Sequence, residues 1–489
     1  MAEQSLKDKT VRGTFWSAAD SLLGQGVTFI VGIILARLLT PEEYGLVGIV
    51  LIFTTVLSGV VDSGFSRALI RKKNTVNEDY NTMFITNMVV SIILFLFLYA
   101  SAPFIARFFS RPELIPLTRV MGLILIFQAL SITQTTILTK QIDFKTKTKA
   151  SVIAAAISGV IGITMAYMGA GVWSLVGQRL SNTLIYSLCL WVLLKWWPKL
   201  LFSIESFRYM WGFGWKLMVS GILDNTWNQL YQVVVGKYYS PATLGQYTRS
   251  NEYASIFSSN LTAIIQRVTY PVLAEVQDEK ERMVAAYRKI IKVTMFITAV
   301  SMIMLGAIAD PLIYCLIGPQ WHEAATYLPL ICLSMSLYPL HAINLNMLQV
   351  QGRSDIYLYL EIIKKIIAIG PIIIGIVVNI YWMLIAGIIV GIISFFLNSY
   401  YSGKKLGYTS WMQLKDVSSS YAVSFLVAFS TYFLKYLPIS YWLVLPLQLL
   451  VGSIVLIVVC TATKMPEFYE VKDVAYVLIR KVKQYTAKI

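Results

Sequence analysis

The chain has 489 residues, 57% of them hydrophobic and only 13% charged, with a mean hydropathy of +0.66. Soluble domains run at roughly 45–50% apolar and about 25% charged, so these values exclude a water-soluble enzyme, a disordered chain, a disulfide scaffold and a collagen-like fibre. The net charge of +16 fits a membrane protein whose cytoplasmic loops collect Lys and Arg. No basic tract interleaved with aromatics offers a nucleic-acid surface, and no nucleic-acid partner is expected.

In chain order, apolar runs broken by charge predict fourteen spans of about the 20 residues that cross a bilayer. They fall near 14–37, 44–66, 83–107, 116–138, 150–168, 171–194, 213–236, 244–272, 290–313, 325–349, 362–379, 381–401, 418–436 and 441–462. The polar, basic start Met1–Gly13 leads into an apolar run too long for a signal-peptide core and without a small-residue cleavage site. That run is expected to remain as the first span. Cys189, Cys315, Cys332 and Cys460 all lie in apolar stretches without metal-ligand spacing and read as small core residues. No connecting stretch is long enough for a soluble domain.

The alternation of loops sorts the cations. One side, which includes both termini, holds 33 Lys and Arg; the other holds six, Arg37, Arg107, Arg111, Arg119, Lys237 and Lys435. A split of that size predicts both termini in the cytoplasm, because one missed or invented helix would invert the alternation downstream and erase it.

An internal repeat accompanies the spans. At a shift of 200 residues, Arg37-Leu-Leu-Thr-Pro-Glu-Glu-Tyr-Gly45 aligns with Lys237-Tyr-Tyr-Ser-Pro-Ala-Thr-Leu-Gly245, which brings Pro41 onto Pro241 and Gly45 onto Gly245. Phe15 meets Trp215 and Arg67 meets Arg267; at a shift of 210, Leu138-Thr-Lys-Gln141 meets Leu348-Gln-Val-Gln351. A repeat of six helices returns the chain to the same side, so both halves share one orientation and are related by an axis along the membrane normal, with the substrate path expected between them. The expected organisation is therefore an N-lobe over 1–200, a C-lobe over 201–405, and two further helices with a cytoplasmic tail over 406–489. The joining stretch Ser203–Gly212 reads either as a short interfacial amphipathic helix or as a loop with aromatic anchors.

Ionised groups inside spans cost at least about 2.5–3.5 kcal/mol on insertion scales, so they face a bundle interior or a wet cavity. The eighth span carries Gln246, Arg249, Glu252 or Tyr253, Ser259 or Asn260, and Gln266 or Arg267 near helical spacing; the seventh carries Asp224, Asn225, Asn228, Gln229 and Gln232. The first has a weaker stripe with Asp20 and Gln25, and the sixth contributes Arg179. These residues either line a hydrated cavity or pair among themselves, as Arg249 and Glu252 at i and i+3 are placed to do. Arg67 and Arg267, near cytoplasmic ends of spans, read as solvated interfacial cations or as a cytoplasmic gate. A cavity of this composition suits an anionic, sugar-bearing amphiphile. Arg grips phosphate with paired hydrogen bonds, and Asn, Gln and Asp match sugar hydroxyls. Trp227, Tyr231, Tyr247 and Tyr253 stack on sugar faces or serve as ordinary membrane aromatics. No Walker-type phosphate loop, HExxH motif or nucleophile elbow occurs, so neither an ATP engine nor enzymatic chemistry is expected. His341, in the tenth span, is either a proton carrier or a packed neutral side chain.

The segments Phe15-Trp-Ser to Leu39-Thr-Pro-Glu-Glu-Tyr-Gly45, Ile137-Leu-Thr-Lys-Gln-Ile-Asp-Phe-Lys145 and Asn344-Leu-Asn-Met-Leu-Gln-Val-Gln-Gly-Arg-Ser-Asp355 resemble the polysaccharide exporter branch of the multidrug/oligosaccharidyl-lipid/polysaccharide (MOP) superfamily. That branch includes the bacterial Wzx-type, teichuronic acid and colanic acid exporters. The resemblance implies an all-α polytopic protein with about fourteen transmembrane helices in two pseudo-symmetric six-helix lobes plus two C-terminal helices. It also implies alternating access that transfers undecaprenyl-pyrophosphate-linked glycans across the bacterial plasma membrane, with central cations on the pyrophosphate; by position that role falls on Arg249 and Arg179. Partners would be the lipid-linked glycan, membrane lipid, and polymerase or assembly proteins. No cofactor is implied, with proton or sodium coupling left open. Two other readings stand beside it: a multidrug/cation antiporter of the same fold, favoured by Asp20, Asp224 and Glu252, and a membrane-embedded glycan polymerase or glycosyltransferase, which would want a sizeable loop with catalytic carboxylates.

Overall fold

A computed structural model describes residues 24–473 and 476, apart from positions 277 and 405 and the side chains of 260, 263, 264 and 266–268. Every regular element among the described residues is helical. The helices are α1 (Gly24–Leu38), α2 (Pro41–Val61), α3 (Phe65–Arg71), α4 (Asn77–Phe109), α5 (Leu114–Met121), α6 (Leu123–Lys140), α7 (Phe144–Tyr167), α8 (Val172–Leu194), α9 (Ile204–Tyr238) and α10 (Pro241–Glu275). They continue with α11 (Lys280–Ala307), α12 (Ala309–Ile317), α13 (His322–Met335), α14 (Tyr338–Val350), α15 (Ser354–Ile367), α16 (Ile369–Val377), α17 (Ile380–Lys404), α18 (Ser410–Tyr432) and α19 (Tyr441–Ala462).

Each predicted span from the second onward falls on one helix or on two that abut, and the first is described from Gly24. Nine helical segments among the described residues are long and apolar enough to cross a membrane. Side chains such as Phe97, Phe104, Val192 and Phe429 are more than 60% exposed, which only a lipid environment makes favourable. The chain is an all-α, multi-pass membrane protein; the figure of fourteen crossings stays an expectation.

Two local readings change. Ser203–Gly212 is neither a separate helix nor a loop, because it forms the N-cap and first turns of the 35-residue α9. The Ser203 hydroxyl accepts from the Ser206 amide, and the Ser206 hydroxyl donates to Asp79 at 2.7 Å. Lys364 and Lys365, counted with the cytoplasmic cations, lie well inside α15, which begins at Ser354.

The chain packs as two compact units, Met1–Gly245 and Gln246–Ile489. The repeat-based limits at 200 and 405 group what repeats, whereas packing groups what touches, and α9 lies on α2, α3 and α4 within the first unit. In that unit, Thr40 and Glu43 cap α2 reciprocally: the Glu43 amide donates to the Thr40 hydroxyl and the Thr40 amide to the Glu43 carboxylate. Pro41 takes the first helical position, where its missing N–H costs nothing. The chain then turns between α2 and α3 through Gly64 at φ +71°, a conformation glycine adopts without strain. Asp62 secures that turn by accepting from the Ser66 amide and hydroxyl. α7 buries Ala154, Ser158 and Gly162, spaced four apart, and this small-residue stripe lets α8 approach closely. Asn182 of α8 donates across it to Ser158 at 3.1 Å.

The second unit is organised around a polar hub in an apolar core. Asn344 of α14 accepts from Tyr287 of α11 at 2.7 Å and from Ser402 of α17 at 2.6 Å, and donates to the Leu340 carbonyl and to Gln413 of α18. Beside it, Tyr408 donates to Asp416, which also receives Arg288 of α11 through two guanidinium nitrogens. Four helices are thus tied at one level. α19 closes on α18 through Gln448, which donates to the Thr431 carbonyl at 2.9 Å.

Candidate translocation site

The seventh-span stripe lies on α9. Asp224 and Asn228, one turn apart, are exposed, while Asn225 and Gln229 are half-buried. A Cβ on Gly59 would stand 2.9 Å from Asn225 Nδ2, so the Asn225 amide reaches α2 only because position 59 has no side chain. Gln25 on α1, Arg179 on α8 and Arg67 on α3 are exposed.

Among the sequence-predicted site residues, α10 joins Arg249 and Glu252 directly. The guanidinium, 8% exposed as a residue, donates to the half-exposed Glu252 carboxylate at 2.7 Å. Asp20, Asn260 and Arg267 lie outside the described residues or have side chains that do.

The rest of the α10 stripe divides. Gln246 clamps the start of α13: its Nε2 donates to the Gln320 carbonyl at 2.8 Å and its Oε1 accepts from the Ala324 amide at 2.9 Å. Ser250 donates to the Ala324 carbonyl and Ser258 to the Met335 carbonyl. These three are interhelical glue. Tyr247 and Tyr253 are buried, which leaves half-buried Trp227 and Tyr231 as the aromatics able to meet a sugar face.

A polar cluster in the second unit escaped the sequence reading. Past the first turn of α15, Leu358, Tyr359, Ile362 and Ile366 are the exposed side chains, while the Lys364 side chain is only 15% exposed and pairs with Glu361 at 2.5 Å. Its polar face is turned inward and its apolar face outward. Lys364 acts electrostatically on His341 of α14, whose Nδ1 lies 3.4 Å from the Asn398 amide. The signal was present as an amphipathic period, but hydropathy treats Lys364 and Lys365 as a loop edge.

Along the first half of α11, an open cleft of about 750 Å³ is lined by Lys280, Arg288, Lys289, Lys292, Glu467 and Glu470, among others. Lys289 meets Glu470 and Lys292 meets Glu467, each at 3.1 Å. Opposite charges therefore balance across it, and it holds the segment after α19 against α11.

Residues 34–326 match the family model described as a polysaccharide biosynthesis protein. Among curated proteins, the succinoglycan biosynthesis transport protein ExoT of Rhizobium meliloti is 26% identical over 75% of this chain and 74% of its own length. The teichuronic acid biosynthesis protein TuaB of Bacillus subtilis is 22% identical over 73% and 74%, and the lipopolysaccharide biosynthesis protein WzxC of Escherichia coli 22% over 76% and 76%. Among solved structures, the lipid II flippase MurJ in an inward closed conformation superposes with a TM-score of 0.68 at 17% identity, covering 92% of this chain and 97% of that one. An inward-facing multidrug resistance MATE transporter of the MOP superfamily superposes at 0.58 and 18% identity, over 80% and 96%. At these identities the structures establish the fold, and the family match establishes descent: the chain belongs to the polysaccharide biosynthesis protein family and has the fold of the MOP-superfamily transporters.

Proposed function

We propose that the protein is a flippase that moves a lipid-linked oligosaccharide or polysaccharide repeat unit across the bacterial plasma membrane by alternating access. The observation that carries this is the likeness, over about three quarters of both lengths, to proteins named for the biosynthesis and transport of succinoglycan, teichuronic acid and lipopolysaccharide. The physical task is to carry a phosphate and sugars through oil while a polyprenyl tail stays in it. The polar groups on α1, α8, α9 and α10 supply a path for the head: Arg249, with Arg179, takes the pyrophosphate. Asp224, Asn225, Asn228, Gln229, Glu252 and Gln25 take sugar hydroxyls, with Asp20 and Asn260 as further members and Arg67 and Arg267 at the cytoplasmic gate. Glu252 beside Arg249 gives the cation a resting partner that an arriving phosphate displaces. Both termini face the cytoplasm, where the excess of Lys and Arg lies. A proton or sodium gradient drives the cycle, and a polymerase or assembly protein receives the product.

The test is reconstitution of the full chain in liposomes with undecaprenyl-pyrophosphate-linked oligosaccharide, reading arrival of glycan at the far leaflet with and without each gradient. Arg249→Ala is expected to lower export at least tenfold at unchanged membrane level, with Arg249→Lys between the two. Normal export by Arg249→Ala removes Arg249 from the site. Wild-type protein that passes cationic drugs and no lipid-linked glycan overturns the flippase reading in favour of an antiporter.

A further inference from the structure

The open cleft along α11 has no part in the translocation path, and its depth points to a different ligand. α11 begins at Lys280, well before the apolar run that starts near residue 290, and α19 ends at Ala462, just before Pro466. The walls of the cleft are therefore the polar margins of two spans, the level at which the phosphates of a bilayer lie. Val284, Ala285, Val293, Leu406 and Pro466 supply apolar wall between the charges, as the glycerol and upper acyl carbons of a lipid require. Charged pockets between helices at this depth hold lipid headgroups.

The charges are of both signs: Lys280, Arg288, Lys289 and Lys292 face Glu281, Glu467 and Glu470. Lys292 is committed. It meets Glu467 at 3.1 Å and stands 3.9 Å from Asp416, and those two carboxylates are nearly buried. Lys289 and Glu470 are not committed, because their side chains are 65% and 37% exposed and a pair that accessible contributes little and parts readily. Arg288 spends two of its five N–H donors on Asp416, and the others have no hydrogen-bond partner among the described residues. Asp416 thus fixes the guanidinium and leaves donors for a guest.

We propose that this cleft binds a zwitterionic phospholipid of the phosphatidylethanolamine class, whose phosphate takes Arg288 and Lys289 and whose ammonium takes Glu470. A purely anionic headgroup would take the two cations and strand Glu470 beside it. A choline headgroup has no N–H to donate to that carboxylate. A phosphate joined to a primary ammonium opens the Lys289–Glu470 pair and satisfies both halves. The bound lipid bridges α11 and the segment after α19, where Phe468 already packs edge-on to Phe296. The site stands apart from the flippase reading, and its test reads lipid binding rather than export.

Full-length protein in mixed micelles is given equal amounts of phosphatidylethanolamine, phosphatidylcholine and phosphatidylglycerol, repurified, and its retained lipid counted by mass spectrometry. We expect phosphatidylethanolamine to exceed each of the others at least fivefold. Lys289→Gln and Glu470→Gln should each bring that preference to within twofold at unchanged folded yield. Arg282→Gln, which breaks the exposed Arg282–Glu279 pair on the same helix but outside the cleft, should keep it. Soluble phosphoethanolamine or inorganic phosphate, each at the concentration of the lipid, should leave retention unchanged. Phosphatidylcholine or phosphatidylglycerol retained as well as phosphatidylethanolamine, or a preference that survives both Gln variants, overturns the site. Displacement of the lipid by either soluble probe overturns a lipid as its occupant.

Discussion

Asn344→Leu removes the centre of the hub and tests whether Asn344 ties the helices of the second unit together. Asn344 makes four hydrogen bonds, to Tyr287, Ser402, the Leu340 carbonyl and Gln413, and is fully buried. Polar contacts within membranes average about 0.6 kcal/mol each, so the four together contribute roughly 2–3 kcal/mol. Truncation does more than delete them. Tyr287 and Ser402 keep each other at 3.0 Å, but Gln413, itself fully buried, loses its Asn344 partner, and a stranded buried amide costs about 1–3 kcal/mol. The expected loss is about 3–5 kcal/mol. Tyr287→Phe should cost only about 1 kcal/mol, since Ser402 still serves the Asn344 oxygen. Asn344→Leu with Gln413→Leu should recover part of the loss, because it removes the stranded amide as well. Unfolding of purified protein in mixed micelles gives all three values, and export per folded molecule should stay near wild type. An Asn344→Leu protein within 1 kcal/mol of wild type, or a double variant weaker than the sum of its singles, would refute the hub as the tie among α11, α14, α17 and α18.

Two further outcomes follow from charge. Asp416 receives Arg288 and Tyr408, with Lys292 at 3.9 Å; because the Arg288 side chain is 47% exposed, Asp416→Asn should cost only about 1–3 kcal/mol in the same unfolding assay, less than a fully buried pair would. At the start of α15, a hydrogen bond from Arg353 holds the Asp355 carboxyl down at about 2 against its ordinary 3.8. A lowered native value contributes order that is present above pH 3.8 and lost as pH falls toward 2; wild type and Asp355→Asn should therefore give parallel export–pH curves between pH 5 and 8, and divergence there would show that this pair titrates where it should not.

Much of this was legible in the chain because the bilayer imposes a simple rule. A span must be apolar for about 20 residues, so hydropathy alone found the helices. Thr40-Pro-Glu-Glu43 reads as a helix start because the capping chemistry is local. The Pro-x-x-x-Gly repeat was visible as spacing, but spacing does not say that Gly45 lies against Pro241 and Gly245 against Pro41. What stayed hidden depends on partners. α9 runs unbroken through Ser203–Gly212 because Asp79, 127 residues earlier in the chain, takes the Ser206 hydroxyl. α15 begins well before its apolar run because its inward face is polar, which in a membrane protein inverts the pattern that hydropathy is built to detect.

The α10 stripe shows where sequence periodicity stops. At about 100° per residue, Gln246 and Ser250 lie within roughly 40° of each other, and Ser258 falls further round on the same side. All three are bonded to α13 or to the turn before it. Arg249 and Glu252 lie roughly 60° and 120° the other way, and Ser259 continues their arc. Glu252 and Ser259 are exposed. One polar stripe is thus two faces, and the difference is whether the polar atoms are already committed to main-chain partners. A hydroxyl that donates to a neighbouring helix's carbonyl has committed its one proton to the fold, whereas a guanidinium paired with a half-exposed carboxylate can exchange that carboxylate for a phosphate. On the proposed reading, Arg249, rather than the more buried Gln246 or Ser250, is the position where an Ala substitution is expected to separate transport from assembly.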